Sequence, residues 1–474
     1  MSHTDLCDVD ATSSGVSLET TITNLPDAVM SDIFQYLYWK EKILAVEAFP
    51  AWNRILDSSL GWKHFENDRD YADSFDALKS TNYLSEEITC IAQYGQFFTH
   101  AVIWLDDILH LINLAEETDF ALLGALETHS FRLKSLVIYH QPNFYTATLT
   151  EWVVPYIQLL QKMFRFSPSL QLSLRRLLLY TEEAGDQLLH FYHTHNLLQK
   201  VACLDFCYGL RMATSVRPIN YLVYCTSLRV LRCPIEYLDT QILQQLVEFS
   251  LQELYVINDE FTLRLNYVEK STIEWHALQL IPGRNLKAGF HTGLNQILVH
   301  YVFRKTSVDM CPNPYARSLV FDNIRSSISR ALLRSVADTY GDKLEHIAFM
   351  HTIYNPPVPF SDLEDLPTTI QYMASRLECV HTVLLNLFIP KDALITLARH
   401  APALKTLLVY EHKIMFDRHA VNTVEETEEL KSIISEALGY SWKPMKEDDN
   451  FYKLSGYKQR LLFQNYFRVF NGFL

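Results

Sequence analysis

Leu404-Lys405-Thr406-Leu407-Leu408-Val409, LKTLLV, places aliphatic residues first, fourth and sixth in a run of six. The alternation at its end is that of a strand with one apolar face. The same spacing recurs as Leu133/Leu136/Ile138, Leu174/Leu177/Leu179, Leu198/Val201/Cys203 and Leu228/Leu231/Cys233. It continues as Leu251/Leu254/Val256, Leu344/Ile347/Phe349 and Val380/Val383/Leu385, with weaker copies at Leu319 and Phe321 and around Leu286. Successive strong copies lie about 23 to 41 residues apart, except for one wide gap that the weaker copies fill. Between several of them runs a helical stripe: Ile242, Leu243, Leu246 and Val247; Ile328, Leu332, Val336 and Tyr340; Leu394, Leu397, Ala398 and Ala401. Strand and helix thus alternate, at a spacing that varies from copy to copy. One such unit cannot bury its own apolar face, so the repeats are expected to stack on one another in an α/β fold.

The residues ahead of the repeats follow a different rule. Leu25-Pro26-Asp27 leads into Met30, Ile33, Phe34 and Leu37, spaced to share one face of a helix that proline can open. A second apolar run, Ile43, Leu44, Val46 and Phe49, ends near Pro50, and Trp52, Ile55, Leu56, Trp62 and Phe65 close the segment. This is a small helical unit of about 40 residues, too few to bury much surface independently. It needs a partner, either the rest of the chain as a helical cap or another protein.

The order Leu-Pro, Ile-Phe-x-x-Leu, a short loop, a helix, a tryptophan and, ten residues later, a second tryptophan resembles the F-box. That resemblance implies binding to the Skp adaptor, and through it to cullin and RING subunits. Leu25, Pro26, Ile33, Phe34, Leu37, Leu44 and Trp52 would be Skp-binding residues, with Trp62 and Phe65 joining the motif to the next domain. Pro50 and Phe49 depart from the residues the family usually carries there. The repeats are similar to leucine-rich repeats, which stack into a horseshoe. The usual Asn or Cys beyond the last aliphatic position is replaced by Gln141, Glu182, Phe206, Glu236, Asp259, Thr352, Phe388 and His412, which implies irregular turns. Together these imply a substrate-recognition subunit of an SCF-type ubiquitin ligase. The expected organisation is a disordered tail at 1–20, an F-box at 21–68, an irregular leucine-rich-repeat solenoid at 69–440 and an aromatic cap or tail at 441–474. The alternative is a non-catalytic repeat scaffold whose N-terminal helices are only a structural cap.

If the aliphatic positions point to the core, the residues between them line the opposite, inner face. That face is expected to be apolar and aromatic, with Tyr139, Tyr180, Arg232, Tyr255, Met350 and Tyr410 as substrate-binding candidates and Val137, Leu178, Ala202, Leu204, Leu384 and Leu408 beside them. Either the face is open and docks substrate, or other parts of the chain cover it. The segment from Lys453 to Leu474 holds Tyr457, Phe463, Tyr466, Phe467, Phe470 and Phe473 with four basic residues and no acidic one. It would either pack on the end or inner face of the repeats or form a terminal cap. Tyr354 to Pro367 reads as a proline-rich loop, and Met415 to Glu429 as an acidic loop running into a helix.

Composition bounds the remaining possibilities. Of 474 residues 49% are hydrophobic and 20% charged, and the formal net charge is -14, which disfavours nucleic acid as partner. Met1 to Ser17 has no apolar core of a signal peptide, and the apolar stretches are about half the ~20 residues of a membrane span. Eight irregularly spaced cysteines read as reduced thiols, so cytoplasm or nucleus is expected. No G-x-x-x-x-G-K loop or G-x-S-x-G elbow is present, so no catalytic residue and no cofactor is expected. His190, His193 and His195 sit near Cys203 and Cys207, but helical spacing puts His195 on the stripe of Leu188, Phe191 and Tyr192 and the other two on different faces, so no metal is expected there.

Overall fold

The computed structural model describes residues 25–67, 81–105, 115–140, 149–175, 177, 182–206, 219–234, 237–258, 287–293, 316–322, 330–350, 365–416 and 423–446. The expected tail at 1–20, Tyr180, residues 354–364 of the expected proline-rich loop and the aromatic segment from Lys453 lie outside them; the loop's last expected residues, Leu366 and Pro367, instead open a helix, where proline is tolerated in the first turn. The chain forms two compact units, Met1–Ser173 and Leu174–Leu474. Both are mixed α/β with parallel strands.

The first unit opens with helices α1 (Asp27–Tyr36) and α2 (Trp39–Ala48), a 3₁₀ turn at Pro50–Trp52, and α3 (Asn53–Leu56). The helix α2 ends at Ala48; Phe49, at φ -131° and ψ 81°, has left the helical region that a residue before proline avoids, and Pro50 then starts the next turn. Next come β1 (His64–Glu66), α4 (Thr81–Tyr94), β2 (His100–Leu105), α5 (Ala115–His129), β3 (Ser135–His140), α6 (Leu149–Phe166) and β4 (Gln171–Arg175). Strands β1, β2 and β3 pair in parallel, with Phe65, Ala101 and Leu136 in one buried row. Gln171 N–H donates to Lys134 O and brings β4 beside β3.

The second unit contains α7 (Glu182–Thr194), β5 (Val201–Asp205), β6 (Val230–Pro234), α8 (Thr240–Phe249), β7 (Glu253–Asn258), β8 (Lys287–Gly293) and β9 (Ala316–Asp322). It continues with α9 (Arg330–Tyr340), β10 (His346–Met350), α10 (Leu366–Arg376), β11 (Thr382–Asn386), β12 (Ile389–Pro390) and α11 (Lys391–His400). The last elements are β13 (Thr406–Val409), β14 (Ile414–Met415) and α12 (Thr423–Leu438). Strands β5 to β11 and then β13 pair in chain order, all parallel, while β12 and β14 form a separate short pair.

Two of the expected helical stripes are buried: Ile242, Leu243, Leu246 and Val247 on α8, and Leu394, Leu397 and Ala398 on α11 followed by Ala401; of the third, Val336 and Tyr340 are buried, and Ile328 and the Leu332 side chain lie outside the described residues. Asp239 caps α8 by accepting from Ile242 N–H at 2.7 Å. From β9 onward the core rows are Leu319/Ile347/Val383/Leu407 and Phe349/Leu385/Val409, which match the sequence pattern.

Two copies of the pattern lie in a different frame from the expected one. Leu204 pairs with Leu231 and Leu254 in a fully buried row, so β5 uses Val201, Leu204 and Phe206 instead of Leu198, Val201 and Cys203. Leu198 falls in a 3₁₀ turn at Leu198–Lys200. Leu204 is therefore a core residue and not part of the inner face; Asp205 takes the inner position beside Arg232. Likewise β4 lies ahead of the expected copy and buries Leu172 and Leu174. A further copy, Phe98/Ala101/Ile103, went unexpected because phenylalanine and alanine stand in for leucine.

The histidines also differ from expectation. His190 and His193, one helical turn apart on α7, both reach Tyr221: His190 Nδ1 is 3.1 Å from its hydroxyl, and the His193 ring is 5.7 Å from its ring. They share a face. His195 is half-buried just past the helix, where Asn196 adopts the left-handed conformation that ends it.

Candidate docking surfaces and functional site

The apolar residues of α1 divide between two sides. Met30 and Phe34 are fully buried, and Phe34 meets Trp52 edge-on with ring centroids 6.1 Å apart above Ile55 and Leu56. Val29 (43% exposed), Ile33 (37%) and Tyr36 (90%) face outward, as does Leu44 (61%) on α2. Of the residues expected to bind Skp, Pro26, Ile33 and Leu44 are thus exposed, Leu25 and Leu37 are half-buried, and Phe34 and Trp52 lie in the core behind them. The start of α1 is held by Arg54 of α3, whose Nε donates to Asp27 Oδ1 at 2.8 Å and whose Nη2 donates to Leu25 O at 3.4 Å. Pattern alone did not single out Arg54.

Behind the helices lies an aromatic joint. Trp62 stacks on Tyr94 at 4.4 Å and Phe65 on Phe98 at 5.1 Å, all four buried. Lys42 is buried there with them, only 2% exposed; its Nζ donates to Gly61 O at 2.9 Å and sits 4.9 Å from the centre of the Trp62 ring. Burial lowers the Lys42 ammonium from its usual range to about 8, partly offset by the neighbouring Cys90. The same burial pushes the Cys90 thiol up to about 12. Gly61 is needed for this approach, because a Cβ there would lie 2.8 Å from Ile55 O.

The inner-face candidates are largely engaged within the chain. In the first unit Tyr139 stacks on Trp104 at 3.8 Å, nearly coplanar, and Trp104 Nε1 donates to Glu66 Oε1 at 3.0 Å. Asn67 fixes the Trp104 backbone from both sides, accepting from its N–H at 2.7 Å and donating to its O at 3.0 Å. In the second unit Asp205, Arg232 and Tyr255 form one row across β5, β6 and β7. Arg232 Nη1 lies 3.8 Å from Asp205 Oδ2, and the guanidinium lies 4.7 Å from the Tyr255 ring centre. Burial raises the Tyr255 phenol, opposed by Arg232. Strand β11 is buried at every position, Leu384 included, so the sheet is covered on both faces there. Leu408 stays half-buried; Tyr410 is buried beside its bridge partner Met445, and the Met350 side chain lies outside the described residues.

Among the described residues, Glu345, His346 and His381 bring ligand atoms within 4.8 Å of one another. No described helix is long and apolar enough to cross a membrane. The chain matches no family model and no curated protein.

Proposed function

We propose that the chain is a substrate-recognition subunit of an SCF-type ubiquitin ligase: an F-box docks on the Skp adaptor, and irregular leucine-rich repeats receive a protein substrate. The observation that carries this is the outward apolar surface of Val29, Ile33, Tyr36 and Leu44, on helices whose other side is already packed. Exposed apolar side chains gathered on two short helices are the kind of surface that binds another protein. Phe34 and Trp52 support the patch from beneath, and Arg54 sets the position of Leu25 and Pro26 at its edge. Through Skp, cullin and RING subunits in the cytoplasm or nucleus, ubiquitin transfer to the bound substrate becomes effectively intramolecular. The chain supplies proximity and no nucleophile.

The test is capture of the Skp adaptor by the full chain. Val29→Asp with Ile33→Asp should abolish capture while lowering the thermal unfolding midpoint only modestly, since the two side chains are 43% and 37% exposed. Leu25→Ala with Pro26→Ala should weaken it. Capture undiminished by the aspartate pair would refute the proposal. The stacking of Trp62 on Tyr94 favours a second reading, in which the helices are a cap closing the repeats. A cap predicts a well-behaved monomer that ignores Skp.

A further inference from the structure

We infer that Glu345, His346 and His381 form a binding site for a divalent ion of the zinc class, joining β10 to β11. His381 is far from the other two in sequence, and parallel pairing brings it to them. His381 N–H and Thr382 N–H both donate to Glu345 O, at 3.0 and 3.2 Å, so the two segments carrying the ligands are locked before any ion arrives. The imidazole rings of His346 and His381 meet edge to face with centroids 4.4 Å apart.

Two imidazoles and a carboxylate are a borderline-soft donor set, suited to zinc in preference to calcium or magnesium. Three protein ligands leave a fourth position for water. Ligand atoms around a tetrahedral zinc stand about 3.4 Å apart. The ligand atoms of the cluster all lie within 4.8 Å of one another, and Glu345 and His381, both only half-buried, have freedom to adjust to that spacing. His346 is 5% exposed and serves as the fixed member.

The surroundings supply orientation for one ligand and opposition to another. His381 Nδ1 lies 3.1 Å from Thr382 Oγ1. In the tautomer that donates to this hydroxyl, the Nε2 lone pair is the one left for an ion, as in metal sites where an outer partner sets the histidine tautomer. Arg317 Nε stands 3.8 Å from Glu345 Oε1, a long ion pair that competes for one carboxylate oxygen. Affinity should therefore be moderate, and removing Arg317 should raise it.

The experiment uses the untagged full chain, stripped with a chelator and titrated with zinc against a chromophoric competitor. The expected result is one equivalent of zinc and a higher unfolding midpoint. His381→Ala and Glu345→Gln should each lower the affinity by about tenfold or more, at least the loss known for outer partners of metal ligands. His190→Ala, in the separate histidine cluster on α7, should leave it unchanged. Arg317→Ala should tighten binding. If one ligand variant unfolds, the other decides. Failure of the wild-type chain to bind zinc, or equal affinity in the folded ligand variants, would overturn the site.

Discussion

The N-terminal helices and the last repeats solve the same problem in opposite ways. From β10 to β13 each strand buries its aliphatic row against α9, α10 and α11, and β11 is covered on both faces. The helices α1 and α2 bury Met30, Phe34, Trp39 and Lys42, yet Val29, Ile33, Tyr36 and Leu44 are exposed. A short helical unit has too much surface for its volume to cover every apolar side chain. Repeats have neighbours to do the covering. What the helices leave exposed within two adjacent elements is thus an apolar surface; further along, Phe131 and Phe166 are exposed beside one another, where Ser167 Oγ donates to Phe131 O at 3.0 Å.

The comparison can be broken at the joint. Trp62→Ala removes a fully buried indole and should cost about 3–5 kcal/mol in denaturant unfolding. A loss near zero would mean that the helical core is not comparable with that of the repeats. Leu394→Ala, in the core of the repeats, should cost about 2–5 kcal/mol by the same measurement and sets the reference for the first value. Gly61→Ala should cost about 1–3 kcal/mol, because its Cβ meets Ile55 O and the backbone must shift.

Lys42 sharpens the comparison through pH. Its folded value, about 8, lies below the ordinary 10.5, so in this range the unfolded chain holds more protons than the folded one. The Lys42 contribution alone should raise stability by about 1 kcal/mol per pH unit from pH 8 towards 9. Over the same window the Cys90 and Cys225 thiols, each raised by burial from 9.0 to about 12, work the other way. The Lys42 contribution is therefore read as a difference: thermal melts of the wild type and of Lys42→Met should diverge with this slope across the window. The smallest effect is expected from Leu44→Ser: within about 0.5 kcal/mol on unfolding, yet with weakened capture of Skp. A large loss of stability would show that Leu44 belongs to the core.

Where the pattern is strictly aliphatic, the strands and their inward rows could be read from sequence alone: LKTLLV and VHTVLL fall on β13 and β11 with the expected residues inward. Around β5 the run Leu198 to Phe206 satisfies the pattern in two frames three residues apart. Only pairing with Leu231 and Leu254 selects the second. The α1 stripe was legible as apolar, but which edge would stay in water was not, because Ile33 lies between the side facing Trp52 and the side facing solvent. Lys42 could not be read as buried, since its partners Gly61 and Trp62 come from a later turn. The Glu345, His346 and His381 cluster was invisible for a similar reason: it exists only through register across two strands.

The pairing of strands in chain order has a consequence for how the protein is made. In the second unit each strand from β6 to β11 lies between the strands that precede and follow it in the sheet's chain order. A polypeptide leaving the ribosome can therefore close each pairing as soon as the next strand emerges, without holding an edge open for a distant segment. Growth from a seeded edge keeps unpaired strand surface to a single advancing front. Synthesis stalled between β10 and β11 would leave the edge of β10 as that front, without the fully buried strand that covers it in the finished chain.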